Sequence, residues 1–110
     1  MKAPLALQQG NEPLLPFRAR TRLTDRTFQA IDLNTVAAIR FLAKASNKAS
    51  DASATVLNGT PLEPLASGNF TVQITSAVTA NAGVFFYRVE IIVAGHPSTL
   101  RYGDLIITST

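Results

Sequence analysis

The chain has 110 residues, the usual size of one domain with its own hydrophobic core. Hydrophobic residues make up 46% and charged residues only 15%, below the usual charged share of about 25%. This composition excludes a disordered tail, and the absence of cysteine excludes disulfides and thiolate metal sites. The net charge of +3 is compatible with an anionic partner but does not identify nucleic acid as that partner.

The first sixteen residues contain three prolines and predict an extended N-terminal arm, followed by one domain over residues 17–110. A signal peptide needs a continuous apolar run of about 7–15 residues, and Pro4 interrupts the start of this chain. No apolar run approaches the roughly 18 residues of a membrane-spanning helix either. We therefore expect a protein that is made in a cytoplasm and kept or assembled there, with no membrane partner.

Residues 17–23 alternate between apolar or small residues and arginines, which is the pattern of a strand with one buried face. The predicted inward positions are Phe17, Ala19, Thr21 and Leu23. The predicted outward positions are Arg18, Arg20 and Arg22. Residues 24–29 follow as a predicted turn around Asp25, since aspartate favours turn geometry.

The next predicted strand covers residues 36–43. A helix over residues 35–44 is the alternative, because Ala, Leu and Lys are good helix formers. The β-branched and aromatic content favours the strand. Its predicted inner face consists of Ala37, Ile39, Phe41 and Ala43. Further along, Asn58 and Gly59 form the dipeptide most typical of a tight hairpin turn.

The second half of the chain contains the clearest strands. Residues 69–75 place Phe70, Val72 and Ile74 on one predicted buried face. Residues 84–94 form the longest predicted strand, with these core positions: Phe85, Tyr87, Val89, Ile91 and Val93. Residues 95–98 are a predicted turn, and the strands predicted over 99–102 and 105–108 flank a bulge or kink at Gly103.

About seven short strands with turn signals every 8–12 residues predict an all-β fold. We interpret the pattern as an immunoglobulin-like antiparallel β-sandwich with an extended N-terminal arm. The Cys…Trp…Cys core of antibody domains is absent, so the expected likeness is one of topology.

The inventory of reactive side chains is small. The only histidine, His96, falls in a predicted turn, and no nucleophile or phosphate-binding motif is present. Calcium binding by Asp25 and Asp32 is an alternative to the use of these residues in turn geometry. We predict no catalytic residue, no metal ligand and no cofactor.

Two surface features are candidate subunit interfaces. The row of Arg18, Arg20 and Arg22 either protects an edge strand against aggregation or docks on an acidic neighbouring subunit. Nucleic acid is not the expected partner, because aromatic residues do not alternate with these arginines. The outward face of residues 84–94 carries a mixed apolar and charged stripe that resembles an interface. The members of this stripe are Phe86, Arg88, Glu90 and Ile92.

The chain also carries, in order, a polar start, a Leu-Thr-Asp turn, an Asp-Leu pair and glycines ahead of later strands. These motifs are Gln9-Gly10-Asn11, Leu23-Thr24-Asp25, Asp32-Leu33, Gly68-Asn69-Phe70, Ala82-Gly83 and Gly103-Asp104-Leu105. Their order resembles the N-terminal domain family of phage upper baseplate proteins, over nearly the whole chain from Gln8. Asn34 stands where the family has glycine, and asparagine also adopts that turn. The resemblance implies a β-sandwich that docks into a phage assembly and has no catalytic residues.

We therefore predict a non-enzymatic structural protein of a tailed-phage virion. It would dock into the capsid (as a decoration), neck, tail or baseplate through sheet edges and the N-terminal arm. The expected partners are other virion proteins or further copies of the chain. The alternative is a carbohydrate- or cell-surface-binding module, which the lack of tryptophan disfavours. An enzyme is a third hypothesis and conflicts with the small inventory of reactive side chains.

Overall fold

The computed structural model describes residues 2–22 and 27–109, with only the backbone of Arg22. The strands in these ranges are β1 (Leu5–Gln8), β2 (Leu14–Arg18), β3 (Arg20–Arg22), β4 (Phe28–Ala30), β5 (Ala38–Lys44), β6 (Thr55–Pro61), β7 (Asn69–Gln73), β8 (Gly83–Val93) and β9 (His96–Thr108). Between them lie the helix α1 (Ser76–Thr79) and the 3-10 turns Leu33–Thr35, Asp51–Ser53 and Leu65–Ser67. The prediction of an all-β fold is confirmed.

Seven strands form one curled sheet in the order β1-β9-β8-β5-β6-β7-β2, and β3 and β4 form a separate two-stranded ribbon. Neighbouring strands are antiparallel except β1 and β9, which run parallel. The two-sheet, immunoglobulin-like form of the prediction is not confirmed, because β6 joins both halves of the structure into one sheet. The ends of this sheet are β1 and β2.

The strand β6 changes partners at Asn58 and Gly59. Up to Asn58 it pairs with β5, and from Gly59 onward it pairs with β7. A β-carbon at Gly59 would lie 2.5 Å from Cγ2 of Ile39, so the close approach of a core side chain requires glycine here. The predicted hairpin turn at Asn58-Gly59 is therefore wrong, since the dipeptide lies inside a strand at the crossing between its two partners.

The core is enclosed by the curl of the sheet. Its largest fully buried side chains are Tyr87, Phe41, Phe70, Ile74 and Leu105. Two stacked ring pairs connect the strands, with centroids 5.8 Å apart for Phe41 and Tyr87 and 5.6 Å apart for Phe17 and Phe70. Aromatic pairs at these distances stabilise a core beyond their simple burial. The second pair joins β2, at one end of the sheet, to β7.

The predicted inner faces are confirmed for three strands. In β5 the core positions Ile39, Phe41 and Ala43 alternate as expected of a strand, so the helical alternative over residues 35–44 is wrong. Ala37 precedes β5 and is exposed, which corrects its predicted inward position. The apolar residues of β7 are fully buried, and in β8 the inward positions at Tyr87, Val89 and Ile91 are buried too.

The β8–β9 hairpin turns more tightly than expected. Its turn consists of Ala94 and Gly95, which both have positive φ angles (51° and 81°), as a two-residue turn between antiparallel strands requires. His96 already pairs with Val93, so the prediction of a turn over residues 95–98 is wrong beyond Gly95. The pairing register between β8 and β9 shifts between Val89 and Glu90 of β8. The strand β9 itself continues without a break through Gly103.

The segment predicted as an N-terminal arm lies within the sheet. Leu5–Gln8 pairs in parallel with residues 105–108 of β9, and Leu7 is buried in the core. The predicted domain boundary after Pro16 falls inside β2. A β-carbon at Gly103 would lie 2.5 Å from the carbonyl oxygen of Ala3, so the N-terminal backbone passes directly over this glycine. Gly103 thus permits close backbone packing, where the sequence predicted a bulge or kink.

The strand predicted over residues 17–23 is divided into β2 and β3 at Ala19, which is fully buried. Beyond this point the predicted alternation fails, because Thr21 is exposed rather than inward. The second half of the predicted turn over 24–29 is also wrong, since Phe28 and Gln29 belong to β4. The predictions for Leu23 and Asp25 lie outside the described residues.

Candidate interface site

A cleft of about 360 Å³ lies between the terminal strand β2 with its partner β7 and the facing parts of β8 and β9. We call it the seam cleft, because it lies where the curled sheet does not close on itself. It is lined by Pro16, Phe17, Arg18, Arg20, Asn69, Phe70, Val89, Leu100 and Arg101. Apolar side chains and three arginines therefore share one concave surface.

The three arginines are held in different ways. Arg18 donates from Nε to Oδ1 of Asn69 at 2.9 Å, and both side chains lie on paired positions of β2 and β7. Arg20 places its guanidinium 5.1 Å from the ring centroid of Phe28, across the β3–β4 ribbon. The guanidinium carbon Cζ of Arg101 lies 5.9 Å from the ring centroid of Phe17. These contacts keep the cations at the seam cleft, where Arg18 and Arg20 are exposed and Arg101 is half-buried.

Arg101 also belongs to a polar network beneath the N-terminal segment. It donates from Nε to the hydroxyl of Tyr87 at 2.6 Å and from Nη2 to the carbonyl of Pro4 at 3.2 Å. The Tyr87 hydroxyl donates in turn to the carbonyl of Ala3 at 2.6 Å. Burial raises the pKa of Tyr87, and the neighbouring Arg101 offsets part of that effect. The network fixes both the wall of the seam cleft and the path of residues 3–4.

The described lining of the seam cleft contains no acidic residue to neutralise the three arginines. Positive charge concentrated in a concave surface with apolar walls attracts anions more strongly than the same charge on a flat face. The structure therefore brings together two of the predicted arginines, Arg18 and Arg20, and adds Arg101, which the sequence analysis did not single out. The side chain of Arg22 lies outside the described residues.

The second predicted interface, the outward face of β8, contains a network of charged side chains. We call it the outer-face ion cluster; its members are Arg40, Lys44, Asp51, Arg88 and Glu90. Glu90 pairs with both Arg40 and Arg88, the latter at 3.1 Å. Asp51 accepts from Lys44 and from Arg88, each at 2.8 Å. The segment that carries Asp51 is thereby held against this face of the sheet.

The same face holds the predicted interface stripe, and part of that stripe is covered by the chain itself. Phe86 and Glu90 are buried within the chain, with relative exposures of 9% and 3%. Lys44 lies over the ring of Phe86, with its Nζ 5.5 Å from the ring centroid. Arg88 and Ile92 are half-buried. The expectation of an outward-exposed stripe is therefore wrong for Phe86 and Glu90, whose neighbours belong to the same chain.

The hydrogen bonds from Lys44 and Arg88 hold the pKa of Asp51 at about 2, below its ordinary value of 3.8. A carboxyl whose pKa is lowered on folding stabilises the fold above pH 3.8, and this contribution is lost as the pH falls through 2. We expect Asp51→Asn to lower the urea midpoint relative to wild type near neutral pH. Most of that difference should disappear at about pH 2.

Urea denaturation across this pH range tests the expectation. Asp104→Asn is the matched control, because Asp104 is an exposed acid outside the outer-face ion cluster. A difference between Asp51→Asn and wild type that stays constant with pH would contradict the role of the ionised carboxylate.

The alternative calcium site involves Asp25 and Asp32. Asp32 caps the turn Leu33–Thr35, with its side chain accepting from the backbone N–H of Asn34 at 2.9 Å. The calcium alternative pairs it with Asp25, which is outside the described residues. Within residues 2–22 and 27–109, no group of three or more potential metal ligands is present. No helix in the same ranges is long and apolar enough to span a membrane.

No protein-family model matches the chain, and no curated protein matches it either. The likeness to phage upper baseplate proteins therefore remains a hypothesis that rests on the order of the sequence motifs.

Proposed function

We propose that the chain is a non-enzymatic structural subunit of a tailed-phage particle, which docks onto other particle proteins through the β3–β4 ribbon and its open sheet edges. The observation that carries this proposal is the exposure of the ribbon. Every side chain described in it is exposed, including Phe28 at 58%. A two-stranded ribbon that buries neither face is at best marginally stable in water. Contact with a neighbouring subunit would supply the missing cover.

The distribution of apolar surface supports the same proposal. Leu14 on the terminal strand β2 and Val84 at the start of β8 are large apolar residues that remain more than half exposed. Leu14 lies on an end of the sheet, where an exposed apolar side chain beside an unpaired edge is characteristic of an assembly surface. The sparse charge of the chain, 15% of residues, suits a protein whose surface is covered by neighbours.

The phage context comes from the motif order, which resembles the N-terminal domain family of phage upper baseplate proteins. The proposal covers a position in the capsid, neck, tail or baseplate. The tyrosines give little support to the alternative of a sugar-binding module. Tyr87 is buried, and Tyr102, which is 39% exposed, packs its ring on Phe86 with the centroids 6.4 Å apart.

Immunogold electron microscopy of purified particles tests the proposal. The tag follows the C-terminus through a flexible linker, so that the pairing of β1 with the end of β9 at Thr108 stays in place. We expect label at one defined position on each particle, and none on particles that carry the untagged chain. Label that stays in the soluble fraction while the particles remain bare would refute the proposal.

A further inference from the structure

We propose that the seam cleft binds an extended acidic segment of a partner protein. A carboxylate of that segment would lie between Arg18, Arg20 and Arg101, and an apolar neighbour would lie on Phe17 and Leu100. The inference rests on the proposed function, because it names the chemistry of the partner onto which the subunit docks. Three observations support it: the positive charge of the cleft, the hydrogen bonds that its arginines make, and the position of the cleft at one end of the sheet.

The arginines favour a carboxylate as the ligand group. Among the described residues, the one hydrogen bond of the Arg18 side chain runs from Nε to Asn69 and does not use the two terminal nitrogens. Arg20 has a ring contact with Phe28 as its described interaction. The planar guanidinium matches the two oxygens of a carboxylate, and such charge-assisted bonds are about twice as strong as neutral ones.

The position of the cleft favours a peptide. The backbone N–H of Ala19 donates to Gly68, and the carbonyl of Pro13 accepts from Ile74, so odd-numbered residues of β2 face β7. Because backbone groups alternate along a strand, Leu14, Pro16 and Arg18 face the open edge of the sheet. An added strand would find main-chain partners at Leu14 and Arg18, in the manner of peptides that extend a sheet edge.

Pro16 lies on that same open edge and lacks a backbone N–H. A proline at an exposed edge position weakens indiscriminate strand pairing. The edge therefore accepts an added strand only where other contacts compensate, and the arginines of the seam cleft supply such contacts for an acidic segment. This combination selects the partner by charge rather than by main-chain pairing alone.

Nucleic acid fits the cleft less well. Binding of single strands relies on accessible aromatic faces on which bases stack. Phe70 is fully buried, and its ring stacks with Phe17 rather than facing a ligand. Phe28 is exposed, but it is not among the residues that line the cleft. The cleft offers cations for phosphates, but its one partly exposed ring is Phe17, which already contacts Phe70 and Arg101 and cannot stack a run of bases.

The test is a titration of the full chain with a short capped peptide of alternating Glu and Val, measured by isothermal calorimetry. The same peptide with Gln in place of Glu is the ligand control. We expect the Glu peptide to bind and the Gln peptide to bind at least about tenfold more weakly, with the affinity for the Glu peptide falling as salt rises.

The protein variants are Arg18→Gln/Arg20→Gln and the control Lys48→Gln. Arg101 is left in place because it also holds Tyr87 and the N-terminal segment. Both substituted arginines and Lys48 are exposed, so the variants should keep the urea midpoint of wild type, which a denaturation series checks before binding is compared. We expect the double variant to lose at least about tenfold in affinity for the Glu peptide and Lys48→Gln to match wild type.

Three results would overturn the inference. Equal binding of the Glu and Gln peptides would show that the cleft does not recognise a carboxylate. Tighter, arginine-dependent binding of a short oligothymidine would assign the cleft to nucleic acid. Self-association of wild type that the double variant loses, seen by light scattering, would assign the cleft to a second copy of the chain.

Incorporation into particles distinguishes a failure of the proposed function from a failure of the cleft proposal. If the double variant enters particles as wild type does, the structural role stands and the cleft is not the docking site. If wild type is absent from particles but binds the Glu peptide, the cleft chemistry stands and the phage assignment fails.

Discussion

Removal of residues 2–8 should lower the free energy of unfolding by about 3 to 5 kcal/mol, because these residues contribute buried apolar surface and hydrogen bonds to the fold. Leu7 is buried in the core and Leu5 packs against it. The deletion would also remove the carbonyl partners of Tyr87 and Arg101 at Ala3 and Pro4. It would open the edge of β9 along residues 105–108.

Urea denaturation of the truncated and full-length chains measures this loss. Leu7→Ala is the intermediate variant, expected to cost about 2 to 4 kcal/mol while leaving the backbone pairing of β1 in place. Lys2→Gln, at an exposed position, serves as the control and should match wild type. An unchanged unfolding midpoint for the truncated chain would show that residues 2–8 form a separate arm, as the sequence alone predicted.

Phe70→Ala should cost about 3 to 5 kcal/mol, the usual range for truncating a buried phenylalanine. Phe70 is fully buried, lies opposite Phe17 in β2 and opposite Pro61 in β6, and stacks with the ring of Phe17. Its loss leaves a cavity at the junction of three strands. Because β2 is held to the sheet by β7 alone, we also expect its amide protons to exchange faster with solvent.

Val84→Ala is the matched control for this prediction, since Val84 is 65% exposed and its truncation should change stability by less than about 0.5 kcal/mol. Chemical denaturation gives the free energies, and hydrogen exchange gives the local effect on β2. A cost below about 1 kcal/mol for Phe70→Ala would contradict the described packing of β2 on β7, because cavities of this size are expensive.

The all-β class and the buried faces of β5, β7 and β8 could be predicted from the sequence. Each depends on local alternation, which is a direct consequence of strand geometry. Phe70, Val72 and Ile74, for example, recur at every second position and are all fully buried. The signal is strongest where one face of a strand lies in the core and the other does not.

Errors arose where the tertiary structure overrides a local signal. Asn58-Gly59 is typical of a hairpin turn, yet Gly59 is needed because Ile39 packs against its backbone. The N-terminal prolines suggested a free arm, and the pairing of residues 5–8 with the distant residues 105–108 has no local signature. Contacts between distant segments cannot be read from a window of a few residues.

The candidate site was predicted only in part for the same reason. Arg18 and Arg20 were visible as an alternating row, but their approach to Arg101 depends on the curl that brings β2 towards β9. The outward face of β8 was predicted to form an interface with another subunit. Lys44 and Asp51 cover part of it, through contacts that no periodicity in residues 84–94 reveals.

The central claim is that the chain is a structural part of a tailed-phage particle, and quantitative mass spectrometry of purified particles tests it most directly. The proposal predicts that the chain is present in a fixed ratio to the major capsid protein across independent preparations. It also predicts that this ratio survives repeated density-gradient purification. Absence of the chain, or a ratio that falls with each purification step, would contradict the claim.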